Sequence, residues 1–235
     1  MSGGLIRCAL VATAVLAGVS DITARSGRSA ASPLVQRFLA LEDPDPVQFR
    51  ALRHLEAGNE RFQSDASMDV WTEADASGFR YQIVDEQGSG YIRTRVLRAA
   101  LDAERDLWRT DVASRAAFTA ENYEFVDGGV QADGLTSLAV RPRRKDVFLV
   151  DGSLFLRADD GELVRMEGRL SKAPSFWTRT VRVTRWYQRF AGVRMPIAVE
   201  SVASVRVAGT STFRMRYDYE TVNGQRVGSP ARTVR

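Results

Sequence analysis

The possible folds are limited mainly by a succession of strand-like segments in the C-terminal half of the chain, which are joined by short turns. Apolar and polar residues alternate within the segments, and glycine-containing pairs such as Ala191-Gly192 and Asn223-Gly224 separate them. The pattern predicts strands at residues 135–140, 163–170, 178–190, 194–207 and 211–222. Successive strands with short turns and no helices between them form an antiparallel meander.

Two further turns are predicted in the middle of this region. Asp151-Gly152-Ser153 has the composition of a hairpin turn and separates apolar segments at residues 147–150 and 154–156. Asp159-Asp160-Gly161 turns the chain again. Because several strands are apolar on both faces, the second face of the sheet must be covered by the N-terminal helices or by a ligand.

Helices are predicted before and after a stretch of strand structure. Residues 33–41 suit a short helix, and a second helix is predicted from Pro46 to Gly58, with Asp45 as its cap and His54 on its surface. Period-two alternation between residues 67 and 84 predicts strand structure with one buried face. After the break at residues 88–90, helical spacing of apolar residues from Ile92 to Leu107 predicts an amphipathic helix.

The first residues are typical of an export signal. Arg7 precedes an apolar run from Cys8 to Val19, which is shorter than the about 20 residues that a membrane-spanning helix needs. The run suits the hydrophobic region of a signal peptide, with Ala24 as a cleavage point; a buried N-terminal helix is the alternative. The predicted organisation is a signal peptide at 1–24, a disordered linker at 25–32 and a single domain at 33–235.

Composition excludes several kinds of site. The chain of 235 residues contains one His, His54, and one Cys, Cys8. A zinc site of His and Cys ligands or a disulfide framework cannot be built from them. General acid–base chemistry near neutral pH has few candidates, because the paired Asp159 and Asp160 are explained by turn geometry. We therefore predict a non-enzymatic protein with no metal and no cofactor.

The charge pattern disfavours nucleic acid as a partner. The chain has 33 Lys and Arg against 29 Asp and Glu, and charges of both signs alternate, which is typical of a solvated surface. Basic residues cluster at residues 141–145 and, beside Trp186, Tyr187 and Phe190, at residues 179–189. Arginines beside aromatic rings bind single-stranded nucleic acid or anionic lipid headgroups. Alternatively, the arginines protect an edge strand while the aromatic rings fill the core.

Four segments carry a family resemblance: Gly161-Glu-Leu-Val-Arg-Met-Glu-Gly-Arg-Leu, Pro174-Ser-Phe-Trp, Gly192-Val-Arg-Met-Pro196, and Ser211-Thr-Phe-Arg-Met-Arg-Tyr followed by Asn223-Gly. They resemble the lipoprotein-localisation (LolA/LolB-like) superfamily of bacterial proteins. In that superfamily an antiparallel meander curls into an open half-barrel, helices plug its concave side, and the space between them holds acyl chains. The resemblance implies an α+β fold, an open antiparallel half-barrel with the N-terminal helices packed on the concave face.

These observations predict an exported, periplasmic protein that binds a lipid or lipoprotein acyl chain in an apolar cavity under the sheet, with membrane contact that is transient at most. The candidate ligand-binding residues are Phe148, Met166, Trp177, Trp186, Phe190, Met195 and Met215. They are aromatic or flexible apolar side chains that suit an adaptable cavity. The alternative is an envelope protein-interaction or stress-sensing module on the same fold, with an envelope protein as partner and no ligand.

Overall fold

The computed structural model describes residues 32–41, 43–108 and 113–228. The predicted signal peptide, and the predicted linker except Ser32, lie outside the described residues. The strands are β1 (Phe49–Asn59), β2 (Ser64–Asp75), β3 (Gly78–Gly88), β4 (Tyr123–Val130), β5 (Thr136–Pro142), β6 (Val150–Leu156), β7 (Leu163–Leu170), β8 (Thr178–Phe190), β9 (Val193–Val205), β10 (Gly209–Val222) and β11 (Gln225–Arg226). The helices are α1 (Pro33–Ala40), α2 (Gly90–Ile92), α3 (Ala99–Leu107) and α4 (Ala113–Ala116), and a π-helix (Arg93–Arg98) joins α2 to α3.

All the strands of the described part of the chain belong to one antiparallel sheet. The order is β3-β2-β1-β10-β9-β8-β7-β6-β5-β4, and β11 pairs with β10. The chain therefore runs as a meander from β4 to β10, while β1 pairs with β10 and continues through two hairpins to β3. The edge strands β3 and β4 leave the sheet open. This architecture confirms the predicted α+β class with an open, half-barrel-like antiparallel sheet.

The core lies on the inner face of the sheet, where the helices cover it. Burial alternates along β1 and β2, so that one face of each strand is buried. The π-helix packs against β1, β2 and β3, and α3 packs against β3. At the other edge, α1 places Val35 and Phe38 in the same core, with the Phe38 ring 6.0 Å from that of Phe125 in β4. No helix among the described residues is long and apolar enough to cross a bilayer.

The helix predicted from Pro46 to Gly58 is wrong, because this segment forms β1 between β2 and β10. Alternate residues of β1 face the core, and the inward position at the centre is occupied by Arg53, whose side chain is 1% exposed. Because Arg53 is charged, it interrupts the alternation of apolar and polar residues that predicts a strand. His54 lies on the opposite, outer face and hydrogen-bonds Asp69.

The turn predicted at Asp151-Gly152-Ser153 is also wrong, because these residues lie inside β6. Gly152 faces Gly168 of β7, and a Cβ atom at Gly152 would lie 2.1 Å from the Glu167 carbonyl oxygen. The glycine therefore permits close approach of two strands rather than a turn. The turn at residues 159–161 is confirmed, with Gly161 at φ 76°.

The arginine-rich strand β8 is not an edge strand, because it pairs with both β7 and β9. The alternative in which its arginines protect an edge is therefore wrong. Arg179 and Arg182 are exposed, whereas Arg185 is buried at 3% exposure. Arg189 at the end of the strand donates from Nε to the Glu162 carboxylate at 2.8 Å. The described geometry divides these arginines between solvent, core and ion pairs.

Candidate functional site

A cavity of about 260 Å³ lies between the helical segment that follows β3 and the ends of β1, β9 and β10. Its volume is close to the lower limit of about 300–1,000 Å³ for small-molecule sites and exceeds the roughly 150 Å³ that holds benzene in an engineered apolar cavity. It is lined by Ala57, Gly58, Asn59, Phe62, Ser64, Ser89, Tyr91, Ile92, Arg95, Val96, Ser201, Ala203, Val205, Ala208, Ser211, Thr212 and Phe213. The space suits one slender ligand segment.

A tight connection after β3 places residues 90–107, which form α2, the π-helix and α3 and are called the helical wall below, over the cavity. Gly88 has φ 79°, and a Cβ atom there would lie 2.4 Å from the Asp65 carbonyl oxygen. The Ser89 N–H donates to the same carbonyl at 2.8 Å, and the Ser89 hydroxyl accepts from the Ile92 N–H at 3.4 Å as the helix cap. The break predicted at residues 88–90 is thus the point at which the chain turns from the sheet edge onto the inner face of the sheet.

The middle of the helical wall is the π-helix, and its wider turn changes which residues face the core. Leu97 is fully buried in the core, while Arg95 and Val96 line the cavity. An ordinary α-helix would place Val96 on the same face as Ile92, four residues before it, and would place Leu97 away from that face. Single-turn π-helices occur frequently at functional sites.

Ion pairs tie the wall to the sheet on both sides of the π-helix. Glu86 of β3 accepts from Arg93 at the start of the π-helix at 2.9 Å and from Arg98 at its end at 2.8 Å. Further along, Glu104 of α3 forms a two-point ion pair with the buried Arg53, at 2.6 and 2.9 Å. The wall is therefore anchored, and the cavity beneath it is a built feature of the fold.

The pKa values of this interior reflect burial beside charge. Burial alone would lower the pKa of Arg53, but the Glu104 carboxylate outweighs it and raises that pKa. Burial raises the pKa of Tyr217 to about 12, and the Arg53 guanidinium, 4.6 Å from the Tyr217 ring, opposes this effect. Both groups keep their ordinary protonation states at neutral pH, so the interior holds a permanent cation clamped by a carboxylate.

A second buried network lies where the segment before β1 crosses the β8–β9 hairpin. Asp43 pairs with Arg194 and lies 3.7 Å from Arg189, which also binds Glu162. Burial raises the pKa of Asp43, and the charge and hydrogen bond of Arg194 partly offset this. Each carboxylate has an arginine partner, which is the arrangement of a structural clasp. Among the described residues, no group of three or more His, Cys, Asp and Glu is placed to hold a metal ion.

The mouth of the cavity carries exposed aromatic side chains. Phe62 of the β1–β2 turn is 62% exposed and Tyr91 of α2 is 58% exposed, although both line the cavity. The β7–β8 loop presents Phe176 and Trp177 at 73% and 42% exposure. This loop reaches the same end of the sheet, because Trp177 accepts a backbone hydrogen bond from Arg206 in the β9–β10 turn.

The structure distributes the candidate residues predicted from sequence over several environments. Met166, Met195 and Met215 are 1% exposed in the core, and Phe190 packs against it with its ring 5.5 Å from Tyr219. Trp186 lies on the outer face of β8, between the buried Arg185 and Tyr187. Phe148 precedes β6 and lies under Arg115, while Trp177 is exposed.

None of these candidates is among the described residues that line the cavity, and their contact with a ligand stays a prediction. The lining residues that sequence reasoning missed are mostly small, such as Ala57 and Ala203. Small residues at inward positions near strand ends leave the space that larger ones would fill. That signal is present in β9, where Ser201, Ala203 and Val205 alternate inward, but it does not by itself indicate a cavity.

No protein-family model and no curated protein matches the chain. Among solved structures, it is similar to a DUF1329 family protein from Desulfovibrio piger, with 10% identity and a TM-score of 0.39 over 78% of this chain and 88% of that chain. It is also similar to a LolA superfamily protein from Nitrosomonas europaea, with 10% identity and a TM-score of 0.37 over 81% and 92% of the two chains.

A third similar structure, described as an outer membrane lipoprotein-sorting protein domain, comes from Vibrio parahaemolyticus. Its identity is 10% and its TM-score is 0.40, over 80% of this chain and 91% of that chain. Identity and TM-score are low in all three comparisons. The open antiparallel sheet of this chain is the arrangement that the sequence resemblance predicts.

Proposed function

We propose that this chain is an exported, non-enzymatic binding protein that holds one acyl chain of a lipid or lipoprotein in the cavity beneath the helical wall. The observation that carries the proposal is the cavity of about 260 Å³, which the helical segment bounds on one side and which is lined mainly by small and apolar side chains. A space of this size takes a segment of a single chain. It is the function that the family resemblance of the sequence implies.

The apolar lining favours a hydrocarbon ligand over a polar one. Ala57, Ala203, Val205 and Phe213 are each buried and contribute no hydrogen-bonding side-chain atoms. The amide of Asn59, also in the lining, already donates to Ala208 and Ser211 at 2.9 and 2.8 Å. Each Å² of apolar ligand surface that binding removes from water would contribute about 25 cal/mol of favourable free energy.

Native mass spectrometry of the chain purified from the periplasm of a bacterial host, followed by lipid extraction, tests this proposal. Adducts that extract as phospholipid or acyl chains support it, and the mass of the chain itself reports whether the predicted signal peptide has been removed. A chain that stays free of adducts and binds no added fatty acid contradicts it.

A pair of neighbouring substitutions in β9 sharpens the experiment. Ala203 lines the cavity at 6% exposure, whereas Val202 is 45% exposed on the opposite face of the strand. Ala203→Phe should fill the cavity and abolish adducts, while Val202→Phe should retain them. Circular dichroism of both variants checks that each is folded. Equal adduct levels in the two variants would place the ligand elsewhere.

The alternative is an envelope protein-interaction module whose partner binds the same end of the sheet. The exposed Phe176 and Trp177 favour it, because such rings are common at the centres of protein interfaces. A chain without adducts that is captured by an envelope protein, with loss of capture in a Phe176→Ser, Trp177→Ser variant, would support this alternative.

A further inference from the structure

The electrostatics of the cavity define what kind of head group its ligand carries. Arg95 is the one charged residue among the described residues of the lining; the others are apolar or carry neutral hydroxyl or amide groups. The part of the lining that the structure describes includes no carboxylate that would neutralise it. An apolar space with a single cation in its wall matches an amphiphile with one anionic group.

Arg95 is also available for a ligand, unlike its neighbours. Arg93 and Arg98 both bind Glu86, and neither of these two arginines lines the cavity. Within the described ranges, Arg95 has no ion pair or hydrogen bond. It lines the cavity and is exposed to solvent. The π-helix thus carries three arginines, of which two pair with the single carboxylate of Glu86, and this leaves a local excess of positive charge.

The chemistry of arginine narrows the ligand further. Its planar guanidinium binds carboxylate and phosphate groups through two parallel hydrogen bonds, and it stays charged at every accessible pH. The acidic residues at this end, Glu60 and Asp65, are exposed on the β1–β2 turn and the start of β2, outside the lining. A cationic amphiphile would meet Arg95 with repulsion.

We infer that the cavity binds a single-chain anionic amphiphile whose carboxylate or phosphate head is held by Arg95 at the mouth while its hydrocarbon chain lies between the π-helix and β9. This inference rests on the proposed function and assigns to it a ligand class. It also assigns the π-helix a role, since that turn presents Arg95 to the cavity and Leu97 to the core.

Isothermal titration of the purified chain with dodecanoate and dodecyl phosphate below their micelle concentrations, and with dodecanol below its solubility limit, tests the inference. The anionic ligands should bind about tenfold more tightly than the alcohol, as expected for one charge-assisted contact in partly solvated surroundings. Arg95→Gln should remove this preference without weakening the binding of dodecanol. The ratio between dodecanoate and dodecyl phosphate identifies which head group fits.

Arg182→Gln is the matched control, because it removes the same charge from an exposed position on the outer face of β8. It should keep the preference for anionic ligands. Equal binding of dodecanol and the anionic ligands to the wild type, or an unchanged preference in Arg95→Gln, would overturn the head-group inference alone. Failure of all three ligands to bind the wild type would overturn the proposed function and the inference with it.

Discussion

The buried ion pair between Arg53 and Glu104 provides the sharpest test of how the wall is held on the sheet. Arg53 is 1% exposed and cannot lose its proton, so removal of Glu104 leaves an uncompensated charge in the core. Glu104→Ala is the appropriate change, because alanine has the highest helix propensity and does not weaken α3 itself.

The expected cost follows from the burial of the pair. Breaking a buried ion pair by removing one partner costs about 3–5 kcal/mol. The lower end applies here, because Glu104 is 13% exposed and the Arg53 guanidinium keeps its position over the Tyr217 ring at 4.6 Å. A loss of about 3 kcal/mol is a large part of a total free energy of unfolding of about 5–15 kcal/mol.

Equilibrium denaturation in urea, followed by tryptophan fluorescence, measures this loss. Glu220→Ala is the matched control, because Glu220 pairs at 2.6 Å with Arg50 of the same strand but on the exposed face. It should cost only about 0.2–1 kcal/mol. The double variant Arg53→Met, Glu104→Leu should recover most of the loss. If Glu104→Ala costs no more than Glu220→Ala, the pair does not hold the wall.

Two further predictions concern the sheet. Burial lowers the pKa of His54, but hydrogen bonds to Asp69 and a second carboxylate outweigh burial and raise this pKa above 6.5. Protonated His54 therefore stabilises the folded state below about pH 6.5. This contribution is lost as pH rises through the folded-state pKa. The stability advantage of the wild type over His54→Gln should therefore shrink between mildly acidic and alkaline pH in urea titrations, and a constant difference would contradict this. Gly152→Ala should lower the free energy of unfolding by about 1–3 kcal/mol through overpacking, because the new Cβ atom would lie 2.1 Å from the Glu167 carbonyl oxygen. The control Ser153→Ala in the same strand should be nearly neutral. Equal melting temperatures for the two variants would contradict the close approach of the strands at Gly152.

Where local pattern decides structure, sequence reasoning located the elements closely. The predicted strands at residues 163–170 and 178–190 coincide with β7 and β8. Turns at Ala191-Gly192 and Asn223-Gly224 adopt positive φ at both residues, as tight hairpins require. Alternation and turn chemistry are properties of neighbouring residues, so they are visible without the partner strands.

The errors arose where a distant partner determines the role of a residue. Arg53 faces inward only because Glu104, 51 residues away in the chain, neutralises it there. Gly152 looks like a turn residue until Gly168 is seen opposite it in the ladder. In both cases the same local sequence is compatible with another structure, and the choice between them depends on packing.

Local pattern and residue inventory are enough to predict the antiparallel meander, most turns, and the absence of a His–Cys metal site or a disulfide framework. The position of the cavity, in contrast, depends on contacts between distant parts of the chain. Its walls come from β1, β9 and β10, which strand pairing brings together, and from the π-helix, which packs over them. A cavity is the space that packing leaves unfilled, and the size of that space depends on how all the surrounding elements fit together.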